Sequence, residues 1–437
     1  MKRMYAIMFL AAVMATGTYQ SKAQVISMKL SDPAFASASS TVTCSLDDQY
    51  GIVSTYEDSD GVAQLDFLDI GAGIIRRYAV PTDLKIVDLY YDSTTQYLYF
   101  CGSATSQSSG LGVGYIGCIH APSFQSGSIV FNWIEVKDVP LVYRIAGYRD
   151  GRKRHVTALG NTIYNSTPVC CVLEFPKIAA NPTYYTHILQ KSEFVDDVLI
   201  TDNYLAVTGF DTNSAVMSIA YRRRPLLSYP DPEFENEHFY TWSDTVLTGT
   251  TATPLRDDYL CVSYRHYLPS LQQYYTRIRT IDLATGLNDY SQQYGIGADD
   301  IGMAARYVSH DDSVVMNQRD VQSSYYVHIN PYNTATSYST VREYRPLDWF
   351  EGFSVYGNKY YVGGFGASWF IKEYNAVPTN NPDIGCPMRR AISSGTISKM
   401  MPAAVPQPPV RIQSQGVSYS SQATETTVYY TIDCFNQ

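Results

Sequence analysis

Four acidic residues stand at the start of apolar segments that are spaced like successive strands of a repeat: Asp88, Asp197, Asp300 and Glu351. If folding brought these carboxylates together, they could bind a cation or sugar hydroxyls, or one could have its pKa raised enough for acid–base catalysis. Trp349 lies close by and could stack on a sugar ring or pack inside the fold. Arg144 and Arg306 fall at similar places, so ordinary ion pairing of the acids is the competing interpretation.

Motifs that carry known chemistry are otherwise missing from the sequence. Residues 112–117 spell G-x-G-x-x-G, but an apolar strand and Ala121-Pro122 follow where a dinucleotide site needs a helix. No H-E-x-x-H, G-x-S-x-G or P-loop occurs, and the seven histidines are scattered singly. The sequence therefore predicts no catalytic residue, no metal site and no cofactor.

The first residues are typical of a secretory signal peptide. Lys2 and Arg3 precede an apolar stretch over 4–15, and the small-residue pattern Ser21-Lys22-Ala23 predicts cleavage before Gln24. We therefore expect residues 1–23 to be removed and the protein to be exported, in the periplasm, on the outer surface or secreted, from a Gram-negative bacterium. A signal anchor is the alternative, although the apolar run is short for a bilayer span and no later segment is longer.

The net negative charge of the chain limits which kinds of partner it can bind. Loss of the three basic residues of the signal leaves 29 basic and 41 acidic residues, a net charge of −12, against −9 for the full chain. Nucleic acids and anionic membrane surfaces both need a positive field, so we expect neither as a partner. The chain has 39 tyrosines and 16 phenylalanines, which suits strands whose large rings lie half in water.

Eight cysteines in an exported chain predict that some are paired. Sequence cannot choose among the many connectivities, but two pairs are plausible on local grounds. Cys101 and Cys118 could face each other across a hairpin, and Cys386 with Cys434 could close the tail. No C-x-x-C occurs, so a structural zinc site has little support.

A strand–turn–strand unit recurs seven times, about every fifty residues, with a polar turn followed by a strand that opens on a large residue. The seven copies are TVTCSLDDQYGIVST, VDLYYDSTTQYLYFCG, YRIAGYRDGRKRHVTALG, VDDVLITDNYLAVTG, TPLRDDYLCVSY, ARYVSHDDSVVMNQ and FSVYGNKYYVGG. Their second strands are predicted to begin near residues 50, 97, 155, 204, 259, 313 and 360. Strand–turn–strand units between the copies raise the count to four antiparallel strands per repeat.

This pattern resembles the β-propeller superfamily, in a seven-bladed, secreted bacterial form, although it matches no specific family such as WD40, kelch or sialidase. The resemblance implies an all-β ring of four-stranded blades over 24–376, with the acids named above at the mouth of a central channel. The last blade lacks a fourth strand in its own sequence, and Val25–Leu30 alternates in a way that could supply it from the N-terminus. Residues 377–437 are expected to be a Pro-rich linker and a small tail with a β-hairpin, docked on the ring or on a partner.

Two functions follow from these expectations. The first is a non-catalytic recognition or scaffold protein, a monomer that binds protein or glycan at the cell envelope. The alternative is a carbohydrate-active hydrolase or lyase that uses the acids at the channel mouth. An enzyme should have two or three carboxylates converging in an open pocket, whereas a scaffold should have those acids paired or the mouth filled.

Overall fold

The structure of the protein is a computed structural model in which nearly all described residues lie in β-strands. It describes the strands given below, the connections at 61–62, 70–73, 80–81, 83, 93–96, 121–127 and 137–140, and residue 423. Side chains are described within 42–57, 61–104, 112–147, 156–175, 260–262 and 416–425. In this part of the chain the only helical segment is a 3₁₀ turn, Ala121–Phe124. The all-β prediction is confirmed for the described residues, and none of their helices is long and apolar enough to cross a membrane.

The described strands, numbered β1 to β33 along the chain, form seven antiparallel sheets, which are numbered by the chain order of their first strands. The first strands are β2 (Ser39–Leu46), β6 (Leu84–Asp92), β10 (Leu141–Asp150), β14 (Phe194–Ile200), β18 (Val246–Pro254), β22 (Ile301–Val308) and β26 (Trp349–Tyr356). The second strands are β3 (Gly51–Glu57), β7 (Tyr97–Thr105), β11 (Lys153–Tyr164), β15 (Tyr204–Phe210), β19 (Tyr259–Leu268), β23 (Ser313–Arg319) and β27 (Lys359–Phe365). Each second strand begins within two residues of its predicted start, so the phase of the repeat is confirmed.

The outer half of each sheet follows the same order. The third strands are β4 (Ala63–Asp69), β8 (Gly112–His120), β12 (Thr167–Phe175), β16 (Val216–Arg223), β20 (Gln273–Asp282), β24 (Ser324–Ile329) and β28 (Trp369–Asn375). The fourth strands of sheets 1 to 6 are β5 (Ile74–Ala79), β9 (Ser128–Val136), β13 (Thr183–Leu189), β17 (Phe234–Trp242), β21 (Leu287–Tyr294) and β25 (Ser339–Glu343). The first strands also contact one another in a closed cycle, from sheet 1 through sheet 7 and back to sheet 1.

The N-terminal strand completes the last sheet. β1 (Gln24–Lys29) pairs antiparallel with β28, with Ile26 opposite Glu373 and Met28 opposite Ile371. The prediction that this segment supplies the missing outer strand of the seventh sheet is therefore confirmed. Because the two paired segments lie more than 340 positions apart in sequence, the pairing joins the beginning of the described chain to its last repeat.

The described part of the tail contains five strands, and each extends a different sheet. They are β29 (Ser398–Met400) on sheet 4, β30 (Val410–Gln413) on sheet 3, β31 (Gly416–Gln422) on sheet 2, β32 (Thr424–Thr427) on sheet 1 and β33 (Tyr429–Cys434) beside β1 on sheet 7. The predicted tail hairpin is wrong, because these strands pair with the sheets and not with each other. The prediction of four strands per sheet was also wrong for these five sheets, which have five strands each. The physical reason is that an outer strand presents a row of unpaired N–H and C=O groups, which a short segment with no core of its own can satisfy.

The described core lies on both faces of sheet 2. Since side chains alternate along a strand, Phe100 points toward sheet 1 while its neighbour Cys101 points toward sheet 3. Phe100 is fully buried and meets the rings of Tyr115 and Phe131 edge-on, at centroid distances of 5.8 and 5.9 Å. Aromatic pairs of this geometry contribute about 0.5–1.5 kcal/mol beyond their burial, so they stabilise the face of sheet 2 that packs on sheet 1.

Candidate functional site

Three of the four predicted acids, Asp88, Asp197 and Glu351, lie at a shift in the pairing between a first strand and its second strand, and all seven first strands have such a shift. The shifts fall between Ser39 and Val42, Ile86 and Asp88, Val142 and Arg144, Val195 and Asp197, Val246 and Thr251 (in two steps), Gly302 and Ala304, and Phe350 and Gly352. A β-bulge re-aims the side chains next to it. Asp88, Arg144 and Asp197 each follow the bulge directly, so they occupy equivalent positions in three consecutive sheets.

The other predicted site residues are placed less fully. Glu351 lies within the bulge of β26, and Trp349 is the first residue of that strand, opposite Phe365. The side chains of Asp197, Glu351 and Trp349 are outside the described set, and Asp300 lies outside the described residues altogether. Ligand binding by these four residues therefore stays a prediction.

Asp88 is the predicted acid whose side chain is described, and its carboxylate links two sheets. It is half-buried; Oδ1 accepts a hydrogen bond from the backbone N–H of Leu89 at 3.0 Å, and Oδ2 accepts one from Ile145 at 2.9 Å. Ile145 belongs to β10, the first strand of the next sheet, so the second bond crosses from sheet 2 to sheet 3. The carboxylate therefore holds backbone groups of two adjacent sheets in a fixed relation.

Arg144 brings positive charge to the same region. It stands at the position of sheet 3 that is equivalent to Asp88 in sheet 2, and its Nη1 donates to the carbonyl of Tyr143 at 3.0 Å. Both charges act on the Cys101 thiol, which lies opposite Asp88 in the ladder. Burial raises the pKa of that thiol strongly, Asp88 adds to the increase, and Arg144 opposes it. Asp88 and Arg144 thus bring opposite charges to the first strands of sheets 2 and 3, and ion pairing of the predicted acids stays a prediction.

Cys101 and Cys118 are free thiols, so the predicted disulfide between them is not formed. The ladder places Cys101 opposite Ile116 and Cys118 opposite Tyr99, which offsets the two cysteines by two positions. Diagonal neighbours lie about 7–8 Å apart, beyond the usual reach of a disulfide. Cys386 lies outside the described residues, so the Cys386–Cys434 pair stays a prediction.

A buried charged cluster in sheet 1 was not expected from the sequence. The carboxylate of Asp66 is 1% exposed and receives two hydrogen bonds from Arg77, at 3.0 and 3.2 Å, and one from the Tyr56 hydroxyl at 3.2 Å. Burial raises the pKa of Asp66, and the Arg77 guanidinium opposes this increase. Because every member has a partner inside the sheet, the cluster is structural.

A row of aromatic rings on sheet 2, here called the aromatic strip, consists of Tyr90, Tyr99, Tyr97 and His120. Tyr90 pairs with Tyr99 across β6 and β7, and Tyr97 pairs with His120 across β7 and β8. Successive ring centroids lie 6.3, 6.3 and 5.3 Å apart. The three tyrosines are half-buried and His120 is exposed. The strip lies at the end of sheet 2 where β6 turns into β7, opposite the end where the sequence placed the site.

The signal for this strip was present in the sequence. Tyr97 and Tyr99 are two residues apart on a predicted strand and so share a face, and Tyr90 lies across the predicted turn. The excess of tyrosine over phenylalanine pointed to rings at the water boundary, without showing which of them form a row.

No group of three or more metal-ligating side chains capable of holding a metal ion occurs among the residues with described side chains. The chain matches no protein-family model, and no curated protein matches it. Solved structures similar to it include the β-propeller domain of the trilobed protease from Pyrococcus furiosus, at 9% identity and a TM-score of 0.32, covering 70% of this chain and 99% of that one. A polysaccharide lyase described as an ulvan lyase of a new family matches at 8% identity and a TM-score of 0.31, covering 85% of this chain and 95% of that one. Both TM-scores are low, and the description of the fold rests on the strand pairing.

Proposed function

We propose that the chain is an exported, non-catalytic recognition or scaffold protein, built as a seven-bladed β-propeller, that binds protein or glycan at the bacterial cell envelope. The blade number is supported by seven described sheets whose first strands contact one another in a closed cycle. The proposed location rests on the signal-like residues 1–23.

The observation that carries the non-catalytic part is the environment of Asp88. Its two carboxylate oxygens accept backbone N–H groups from two adjacent sheets, and Arg144 stands at the equivalent position of the neighbouring sheet. General acid–base catalysis needs a carboxyl whose pKa is matched to the working pH and whose oxygen is within reach of the substrate. A carboxylate held between two backbone strands instead fixes the relative position of the sheets, which suits a rigid binding scaffold.

The tail supports the scaffold proposal from the outside of the ring. Five tail strands cover the outer edges of five sheets and run across them in the reverse of chain order. Covered edges resist both unfolding and edge-to-edge aggregation. A ring held together by its inner strands, by β1 and by the tail leaves its loops and exposed faces to recognise ligands.

The test of this proposal combines binding and turnover on the mature chain, residues 24–437. We expect binding to a defined class of glycans on an array, or to a purified envelope protein, with no product released from a panel of polysaccharides. Release of oligosaccharide products in proportion to protein concentration would contradict the non-catalytic assignment. Failure to bind any glycan or envelope protein would contradict the recognition function itself.

A further inference from the structure

We propose that the aromatic strip on sheet 2 is a binding site for a neutral oligosaccharide, whose sugar rings stack on Tyr97 and His120. The inference rests on the proposed function and deepens it, since it chooses glycan over protein and assigns the site to four named rings.

The inner end of the strip is fixed by packing. A methyl group added at Gly147 of β10 would lie only 2.1 Å from the ring of Tyr90, so that ring lies directly against the backbone of the next sheet. Tyr99, like Tyr90, packs against the buried apolar residues between sheets 2 and 3, and burial raises the pKa of the Tyr99 hydroxyl to about 12. Because the inner rings cannot move far, they hold the outer rings in place before a ligand arrives, and such preorganisation lowers the entropic cost of binding.

The outer end is held by a well-ordered turn. Asp92 Oδ1 accepts the N–H of Thr94 at 3.0 Å, and Oδ2 accepts the Thr95 hydroxyl at 2.8 Å. The N–H of Gln96 donates to the carbonyl of Asp92 at 2.8 Å, and the carbonyl of Gln96 accepts the N–H of Ala121 at 2.8 Å. This turn leads into Tyr97 and ties it to the end of β8, where His120 lies.

The outer rings are accessible and their polar tips are uncommitted. His120 is exposed and Tyr97 is half-buried. Among the residues that the structure describes, neither the Tyr97 hydroxyl nor the His120 ring nitrogens have a hydrogen-bond partner within the protein. An apolar ring face beside donors and acceptors that no protein group occupies suits a ligand that is itself apolar on one face and polar at its rim, which is the character of a sugar ring.

Polar groups continue the platform across the sheet. Tyr99 lies opposite Cys118, and Cys118 lies opposite Asn132 in β9. The Asn132 side-chain oxygen accepts a bond from the Ser418 hydroxyl, at 2.7 Å, on the tail strand β31. Hydroxyl and carboxamide groups in the same cross-strand row as Tyr99 can exchange hydrogen bonds with sugar hydroxyls, and the tail therefore contributes to this surface.

The negative charge near the strip disfavours some classes of ligand that have both an apolar and a polar side. The carboxylate of Asp92 lies at the outer end of the strip, and the whole chain carries a net charge of −9, so anionic sugars and nucleic acids are disfavoured. A proline-rich peptide could also dock on aromatic rings. It offers few donors to the acceptors that border the strip, whereas a neutral glycan offers one at nearly every hydroxyl.

The experiment titrates the mature protein with neutral gluco-, xylo- and manno-oligosaccharides by calorimetry. Removing a stacking ring costs about 1.4 kcal/mol, so Tyr97→Ala should weaken the best ligand about tenfold, while Tyr97→Phe should keep most of the affinity. The matched control is Tyr419→Ala, a tyrosine that is 42% exposed on the opposite face of the same sheet. It should leave the affinity unchanged, and thermal melts of the three variants should confirm that each is folded.

The outcomes separate the site from the function. Wild-type binding that Tyr97→Ala leaves unchanged would overturn the strip as the site and leave the recognition function intact. Binding only of acidic oligosaccharides, or of a proline-rich peptide in a Tyr97-dependent manner, would overturn the neutral-glycan assignment. An absence of glycan binding together with binding of an envelope protein would overturn this inference alone, whereas no binding to either would overturn the proposed function as well.

Discussion

Replacing Asp88 tests whether its carboxylate is a structural link between sheets. Asp88→Ala removes the acceptor from two backbone N–H groups, one in the same strand and one in β10. Hydrogen bonds to a charged group contribute about 1.5–3 kcal/mol each, and the local bond to Leu89 should fall at or below the lower end of that range. We therefore expect a loss of about 2–4 kcal/mol in the free energy of unfolding. Asp88→Asn keeps one acceptor oxygen and should lose about half as much.

The assay is urea denaturation of the mature chain, followed by intrinsic fluorescence. Lys85→Ala is the control on the same strand, because it removes an ion pair with Glu57 whose lysine side chain is 55% exposed, and it should cost less than about 1 kcal/mol. Glycan affinity should survive Asp88→Asn. If Asp88→Ala were as stable as the wild type, the structural role would be refuted, and loss of ligand binding in that stable variant would restore Asp88 as a ligand residue.

Three further perturbations address other parts of the structure. Asp66→Ala leaves the half-buried Arg77 guanidinium without its carboxylate and should lower the free energy of unfolding in urea by about 3–5 kcal/mol. Glu425→Ala is the control, because it breaks an exposed ion pair and should lower that free energy by less than about 1 kcal/mol. Equal losses in the two variants would refute the buried-pair account. Burial raises the pKa of Cys118 to about 12, so only about one thiol in ten thousand is ionised at pH 8. Ellman's reagent should therefore react with Cys118 only after unfolding. Rapid reaction of this thiol in the native protein would contradict its burial. Deleting residues 398–437 leaves the outer edges of five sheets unpaired. The truncated chain should therefore melt at a lower temperature and self-associate with rising concentration in light scattering. A truncated chain that melts like the full one and stays monomeric would show that the tail strands do not cover those edges.

The repeat could be predicted from sequence because its signal is local. Tyr97, Tyr204 and Tyr259 each open a second strand after a polar turn, and the turn chemistry fixes where a strand begins. The closing strand β1 was also predictable, since alternation in Val25–Leu30 matched an outer strand that the last repeat lacked. These features need only the residues of the segment itself and the repeat.

The parts that sequence missed depend on contacts between distant segments. Whether a short tail strand such as 398–400 pairs at all depends on an outer edge more than 150 residues away, which its own three residues do not specify. The Cys101–Cys118 prediction failed because a shift of one residue in the centre of a hairpin moves the partner by two positions. The sequence likewise marked Asp88 as an acid near a strand start, but only the bulge and the neighbouring sheet direct its oxygens onto backbone N–H groups.

The most direct test of recognition without catalysis is ligand-observed NMR of an oligosaccharide mixed with the mature protein. A single experiment then reports both contact, through saturation transfer to the sugar protons, and turnover, through new anomeric signals. We predict transfer to one face of the sugar rings, with the spectrum of the oligosaccharide unchanged over many hours. New anomeric signals that grow with protein concentration would contradict the central claim.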